Sequence, residues 1–283
     1  MADKKRGKVG LITIQDVVEA VDYSSAKSEI TAFIHDYVSA SGAKGVVVGL
    51  SGGVDSSTAL ALAVEALGAD RVVALVLPSR YTPQQDVEDA VSLARQLGVR
   101  HFVVQIDQIA SAYSSLPFYD EGDQVARGNL MARVRMSILY YYANRYDMLV
   151  LGTGDKSELM LGYFTKYGDG GVDLLPIGDL YKTQVRRMAK HLGVPDRIAE
   201  KPSAPRLWAG HTAEGELGIS YREVDLVLYA HELGLSKDVI PDATGVSRPK
   251  VERVLALVAE NAHKRAPPVA KLARSRKYTK DLR

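Results

Sequence analysis

The sequence contains no cysteine. That absence removes disulfides, thiolate metal sites and thiol nucleophiles from the chemistry open to the chain. It also lacks any run near the roughly 18 consecutive apolar residues of a membrane span, and its opening MADKKRGKVG has no signal-peptide-like apolar stretch, so a cytoplasmic protein without membrane attachment is expected. An excess of charge of one sign is missing as well. A formal net charge of +2 over 283 residues is too small to imply a nucleic-acid partner. Lys264, Arg265, Lys271, Arg274, Arg276, Lys277, Lys280 and Arg283 do crowd the C-terminus, and residues 266–283 read as a solvated, flexible basic tail. No linker or repeat divides the chain, so residues 1–283 are expected to form one domain, with residues 1–20 a flexible N-terminal extension. The 46% hydrophobic content supplies an ordinary globular core.

Apolar runs suited to buried strands alternate with stretches of helical period. Ile30, Phe33, Ile34, Tyr37 and Val38 recur at helical spacing ahead of GVVVGL (45–50), which reads as a buried strand, and residues 56–67 form a helix closed by Gly68. VVALVL (72–77) is a second strand. Thr82, Pro83 and Gln85 suit the N-cap, first-turn proline and capping-box partner of a helix that runs to Gly98. HFVVQI (101–106), a loop holding YDEGDQ, the helical stretch NLMARVRMSILYYYANRY and MLVLG (148–152) bring a third and a fourth strand. A fifth short strand is expected near Leu174 and Leu175, and residues 182–192 form a helix capped by Gly193. Segment 200–220 reads as irregular, and helices over 221–233 and 248–263 complete the chain. Strands separated by helices imply an α/β fold: a parallel sheet of about five strands with helices on both faces, and extra C-terminal helices.

GLSGGVDSS (49–57) lies between the first strand and its helix. In a parallel sheet, the ligand crevice lies beyond the carboxyl ends of the strands, and a loop there points free N–H groups into it. Gly52 and Gly53 allow the backbone to approach a phosphate closely, and Ser51, Ser56 and Ser57 offer hydroxyl donors. Asp55, an acid among phosphate-binding groups, is explained by Mg²⁺, which takes one or two carboxylates together with phosphate oxygens. The plainer alternative is a simple turn with Asp55 as a helix cap. The order strand, SGGxDS, helix favours phosphate. The loop is neither a Walker A loop, since no GK[ST] follows, nor a GxGxxG dinucleotide fingerprint.

SGGVDSS resembles the pyrophosphate loop of the N-type ATP pyrophosphatases. These enzymes, of adenine nucleotide alpha hydrolase-like fold, cleave ATP between the α- and β-phosphates and activate a substrate oxygen with AMP. A second stretch narrows the resemblance. LGTGDKSELMLGYFTKYGDGGVDLLPIGDLYKTQVRRMAKHLG (151–193), above all FTKYGDGGVDLLP, is similar to ammonia-dependent NAD synthetases, as are ELGISYREVD (216–225) and HKR (263–265). The resemblance spans roughly residues 20–268.

That resemblance implies ATP-dependent amidation of deamido-NAD by ammonia, through an adenylate, to NAD, AMP and pyrophosphate. It implies that Gly49, Leu50, Ser51, Gly52, Gly53, Val54, Asp55 and Ser56, with Thr153, Lys182 and Ser203, contact ATP, and that Asp55 and Glu158 hold Mg²⁺. Arg133, Lys166, Asp173, His263 and Lys264 fall where the family contacts deamido-NAD. Asp55, Lys182 and Asp173 are the expected catalytic residues, Lys182 neutralising phosphate charge and Asp173 taking a proton from the nitrogen donor. GTGDKSE replaces the family's usual GTDHAAE, which leaves Gly154 and Asp155 without an assigned role, and Ser203 stands where threonine is frequent. The family also implies a homodimer with the dinucleotide site at its interface.

Each assignment has a structural competitor. Of Arg133 and Arg135, one is expected at the surface, with Arg133 the ligand contact. Lys166 and Asp173 suit a loop salt bridge, and His263 suits a helix end. Trp208 and His211 belong to a lid or, for Trp208, to the core. Glutamine-using relatives carry a fused amidase with a cysteine nucleophile; with neither that length nor that residue, the chain is expected to take its nitrogen from free ammonia or from a separate amidase partner. The alternatives are another ATP pyrophosphatase, such as a GMP synthetase subunit, and a non-catalytic nucleotide-binding module. FTKYGDGG argues against the first and a second acid, Glu158, against the other.

Overall fold

The structure, a computed structural model, describes residues 10–266 and 268–270. Four strands, β1 (Val46–Gly49), β2 (Val72–Val76), β3 (Arg100–Val103) and β4 (Leu149–Leu151), pair in the order β3-β2-β1-β4, all parallel. The helices are α1 (Ile14–Glu19), α2 (Tyr23–Ser41), α3 (Val54–Leu67), α4 (Gln84–Gln96), α5 (Asp107–Ser111), α6 (Gln124–Tyr146), α7 (Lys156–Leu161), α8 (Lys182–His191), α9 (Asp196–Ala199), α10 (Ala213–Leu217), α11 (Tyr221–Glu232), α12 (Ile240–Thr244), α13 (Arg248–Glu260) and α14 (Ala262–Arg265).

Near-continuous apolar strands are what a sheet covered on both faces requires, and the two-residue period sorts them. Val46 and Val48 of β1, with Val72, Ala74 and Val76 of β2, face a core filled from α2, α3, α4 and α8. Val47, Val73, Leu75 and Val150 face the opposite way, onto Met131, Val134 and Ala143 of α6. A third cluster joins α1, α7 and α10–α13 beside the sheet. Within it, Val17 is fully buried and its carbonyl accepts the Gln184 side-chain amide at 2.8 Å. Residues 14–19, expected within a flexible extension, are therefore a packed helix. Their Thr13–Asp16 capping box and apolar Val17 supply the reason. Residues 1–9 and 271–283, the rest of that extension and most of the basic tail, lie outside the described residues.

The expected fifth strand is absent among the described residues. Near Leu174 the chain makes a single parallel bridge, Leu151 to Leu174. Asp173 and Gly152 also bond across to this edge, but Pro176 follows at once and cannot extend a ladder. The capping of α4 also differs: Pro83 is the N-cap, and the Thr82 hydroxyl instead accepts the Ser79 N–H at 3.0 Å. No helix of the described residues is long and apolar enough to cross a membrane.

Candidate active site

Because β1 pairs with β2 on one side and β4 on the other, connections leave in opposite directions from β1, and a crevice opens beyond the carboxyl ends of β1 and β4. A cleft of about 460 Å³ lies there, walled by the loop after β1, the ends of β2 and β4, the inner face of α6, and segments 162–172 and 201–216. That volume suits a nucleotide-sized ligand.

The phosphate loop forms one wall, with Gly49, Leu50, Ser51, Gly53, Val54, Asp55 and Ser56 lining the cleft. Gly53 caps α3 without any side-chain bond, and the first intrahelical bond runs from the Ser57 N–H to the Gly53 carbonyl. The amides of Val54, Asp55 and Ser56 precede that bond and form the positive end of a 14-residue helix. Ser51 and Ser56 join hydroxyls at 3.0 Å, and the Ser51 N–H donates to Ser56 Oγ at 3.1 Å, which holds the loop in its turn. Gly52 is required: its φ is +75°, and a Cβ there would sit 2.2 Å from the Asp86 carbonyl oxygen.

Lys182 sits behind Asp55 and Glu158, which line the cleft, and does not itself reach the lining. The first residue of α8, it is fully buried, and its Nζ lies 2.7 Å from Asp55 Oδ2, 2.9 Å from Asp155 Oδ2 and 2.8 Å from Glu158 Oε1. The Tyr221 ring centroid is 4.9 Å from the same nitrogen. Asp155 and Glu158 reach this point through a capping box at the start of α7. Burial opposes the charge on Lys182, but Asp155, Asp55 and Glu158 outweigh it and hold the ammonium protonated well above its ordinary range. Burial, aided by the neighbouring acids, pushes Asp155 up to about 7 and raises Glu158 well above the usual carboxylate range.

Three carboxylates around one ammonium leave room for more positive charge, and Asp55 Oδ1 is buried without a hydrogen-bond partner. That unfilled acceptor fits a divalent cation. Among the described residues, no three His, Cys, Asp or Glu side chains are arranged to hold a metal by themselves, so the Asp55–Glu158 pair suits Mg²⁺ completed by phosphate oxygens and water.

Segment 201–216 is fastened to the phosphate loop. Lys201 Nζ donates to the Gly52 carbonyl at 2.9 Å, to Asp86 at 2.9 Å and to Asp89 at 2.6 Å, and Arg206 reaches Asp86 at 3.2 Å. Thr153 and Ser203, expected beside ATP, line the cleft. Trp208 stacks on His211 with ring centroids 3.5 Å apart, and both line the cleft, so Trp208 is a wall residue and not a core residue.

The residues expected to contact deamido-NAD separate. Lys264 lines the cleft and donates to the Gly162 and Phe164 carbonyls. Arg133 is exposed, outside the cleft lining, and donates to the Lys166 carbonyl; His263 is exposed at the last helix. The surface arginine was expected to be Arg135, but Arg135 is the one that lines the cleft, its Nε on the Leu77 carbonyl at 2.9 Å. Burial lowers its guanidinium to about 10, still charged near neutrality. The competing reading of Lys166 and Asp173 as a loop salt bridge does not hold, since the two form no ion pair among the described residues. Asp173 accepts the Tyr140 hydroxyl on Oδ1 and the Val150 N–H on Oδ2 and lies outside the cleft lining, which makes it a brace for β4 and not a group that faces the ligand. Asp155, Arg135 and Lys201 escaped sequence reasoning. Only Asp155 carried a signal, the DxxE spacing of a capping box with Glu158.

The family model described as NAD synthase matches residues 26–268. The NH(3)-dependent NAD(+) synthetase of Aeropyrum pernix is 54% identical over 92% of both chains. Among solved structures, the NH3-dependent NAD synthetase of Campylobacter jejuni has a TM-score of 0.76 at 30% identity, covering 89% of this chain and 100% of its own. The NMN synthetase of Francisella tularensis has a TM-score of 0.78 at 34% identity, covering 89% of this chain and 99% of its own.

Proposed function

The chain belongs to the NAD synthase family, and from that premise we propose that it joins ammonia to the nicotinate carboxylate of deamido-NAD, consuming ATP and releasing NAD, AMP and pyrophosphate. The observation that carries the reading is the Lys182 ammonium held between Asp55, Asp155 and Glu158 beside the amide-lined phosphate loop.

The reaction has two steps. The carboxylate attacks the ATP α-phosphate, pyrophosphate leaves, and an acyl adenylate forms. Ammonia then attacks the activated carbonyl, its nitrogen gives up a proton to solvent, and AMP leaves with the C–O bond electrons. The chain's own contribution is positioning and charge. The first-turn amides of α3 and the Ser51 and Ser56 hydroxyls hold phosphate oxygens, and Lys182 neutralises the charge that builds as pyrophosphate departs. Asp55 and Glu158 would hold Mg²⁺, whose chemistry is the neutralisation of phosphate charge. Thr153 and Ser203 contact ATP, and Lys264 meets the dinucleotide. Arg133, Lys166 and His263 reach a dinucleotide bound across a homodimer interface. The exposure of Arg133 and His263, together with that of Tyr141 on α6, supports that arrangement, and Lys166 is half-buried.

The test is a product assay with ATP, Mg²⁺ and either ammonium or glutamine, offering deamido-NAD and nicotinate mononucleotide in separate reactions. NAD and AMP in equal amounts, from ammonium and deamido-NAD, support the reading. ADP in place of AMP rejects the pyrophosphatase chemistry, and amidation of the mononucleotide alone moves the substrate to that of the Francisella tularensis protein's name.

A further inference from the structure

ELGISYREVD has no role in the chemistry above, although it supplies the start of α11. Ser220 caps that helix through a capping box with Glu223, and the helix buries Val224, Leu226, Val227, Leu228 and Ala230. Amid these apolar residues Asp225 is fully buried, an unfavourable place for a carboxylate unless its partners repay the lost hydration. The partners are specific. Asp225 Oδ1 accepts the Ser157 hydroxyl at 2.5 Å and Oδ2 accepts the Thr183 N–H at 2.8 Å. Ser157 Oγ in turn accepts the Lys182 N–H at 2.9 Å. One carboxylate thus satisfies the first two amides of α8, the second directly and the first through Ser157, and ties them to α7 at the residue preceding Glu158.

Tyr221 lies four residues before Asp225, on the same helix face. Its ring lies against the Lys182 ammonium at 4.9 Å, a contact that attracts a cation. Lys182 is therefore gripped at both ends from a helix that supplies no residue to the cleft lining.

We propose that α11 positions Lys182 for the adenylation step: Asp225, through Ser157, fixes the backbone from which Lys182 projects, and Tyr221 fixes its ammonium. Neither touches the reacting atoms; both act through Lys182. The inference rests on the phosphate-neutralising role given to Lys182 above, and the experiment separates the two.

The rate of AMP formation in a single turnover, with deamido-NAD and ATP, is measured alongside ATP affinity by equilibrium titration. Asp225→Asn and Tyr221→Leu should slow the step by about 10- to 100-fold, as loss of an orienting partner does. ATP affinity should stay nearly constant, because the phosphate loop is untouched. Tyr221→Phe, which keeps the ring, should restore the rate. In a Lys182→Ala background, Tyr221→Leu and Asp225→Asn should each slow the step by less than about twofold, since the group they act through is gone. If Lys182→Ala fails to fold, Ser157→Ala takes its place, and its effect should overlap that of Asp225→Asn. Losses that multiply independently in either background overturn the inference, as does a Tyr221→Phe chain as slow as Tyr221→Leu. A Lys182→Ala enzyme as fast as its parent removes the role of Lys182 itself, a result visible in the single variant.

Discussion

Lys182 Nζ lies 2.7 Å from Asp55 and 2.8 Å from Glu158, so one ammonium bridges the two carboxylates that would hold Mg²⁺. With Asp155 a third acid at 2.9 Å, the buried lysine is the countercharge that lets these acids share a small space. Removing one partner of a buried ion pair leaves the others uncompensated, and Lys182→Ala should cost about 3–5 kcal/mol of stability. Urea unfolding with and without millimolar Mg²⁺ checks this, since the added cation should restore part of the loss in the variant and do little for the parent.

Gly52 sets the phosphate loop. With φ at +75° and the Asp86 carbonyl 2.2 Å from where a Cβ would sit, Gly52→Ala must move backbone. It should cost about 1–3 kcal/mol and weaken ATP binding at least tenfold. Gly53→Ala, whose nearest neighbour is the Ser51 hydroxyl at 3.3 Å and whose φ is negative, is the control that should bind ATP better than Gly52→Ala by isothermal calorimetry.

The two arginines of α6 make opposite predictions. Arg135→Gln removes a positive charge from the cleft and should raise the Kd for ATP or the dinucleotide about tenfold. Arg133→Gln should leave ATP binding unchanged and weaken deamido-NAD only where two chains associate. Titrating each ligand separately, with the oligomeric state followed by ultracentrifugation, tells these apart.

Lys201 ties the phosphate loop to the segment opposite it. Lys201→Met leaves Asp86 and Asp89 to Arg206 and Arg197 and frees the Gly52 carbonyl. It should lower stability by about 2–3 kcal/mol. Hydrogen exchange should rise first in residues 201–216, and an unchanged exchange pattern there contradicts the fastening.

Asp225 gives stability a pH dependence. Burial pushes its carboxyl from 3.8 up to about 6, with Ser157 and Thr183 opposing the shift. The folded chain then holds a proton that the unfolded chain has released, so this contribution is complete below pH 3.8 and is lost as pH rises through about 6. The difference amounts to about 3 kcal/mol. Asp225→Asn lacks it, so the variant's stability relative to the parent should improve between pH 4 and 6 in parallel denaturant titrations.

Much of this molecule was legible in its sequence, for identifiable reasons. The Val-rich strands and their helices follow from local period, and SGGVDSS announces its own turn. Asp55, Glu158 and Lys182 were named from the family motifs, and all three meet at one point. What escaped depends on residues far apart in sequence. Asp173 looks free until Tyr140 and Val150 are seen to occupy it, Arg133 and Arg135 differ only in which side of α6 meets the sheet, and Lys201 has meaning only beside Asp86 and Asp89. The expected fifth strand failed for a local reason, since Pro176 stops the ladder after one bridge.

The pairing of β1 with β4 also bears on how the protein comes to exist. β1 and β2 are close in sequence and can pair early, but β4 reaches β1 across about a hundred residues, a long loop to close. On a chain emerging from the ribosome, the phosphate loop precedes Asp155 and Glu158 by the same stretch and Lys182 by a longer one. A nascent chain therefore carries an anion-binding turn without its countercharges, and the complete charge cluster appears only when the central sheet is finished. Competence for chemistry thereby becomes a readout of completed folding.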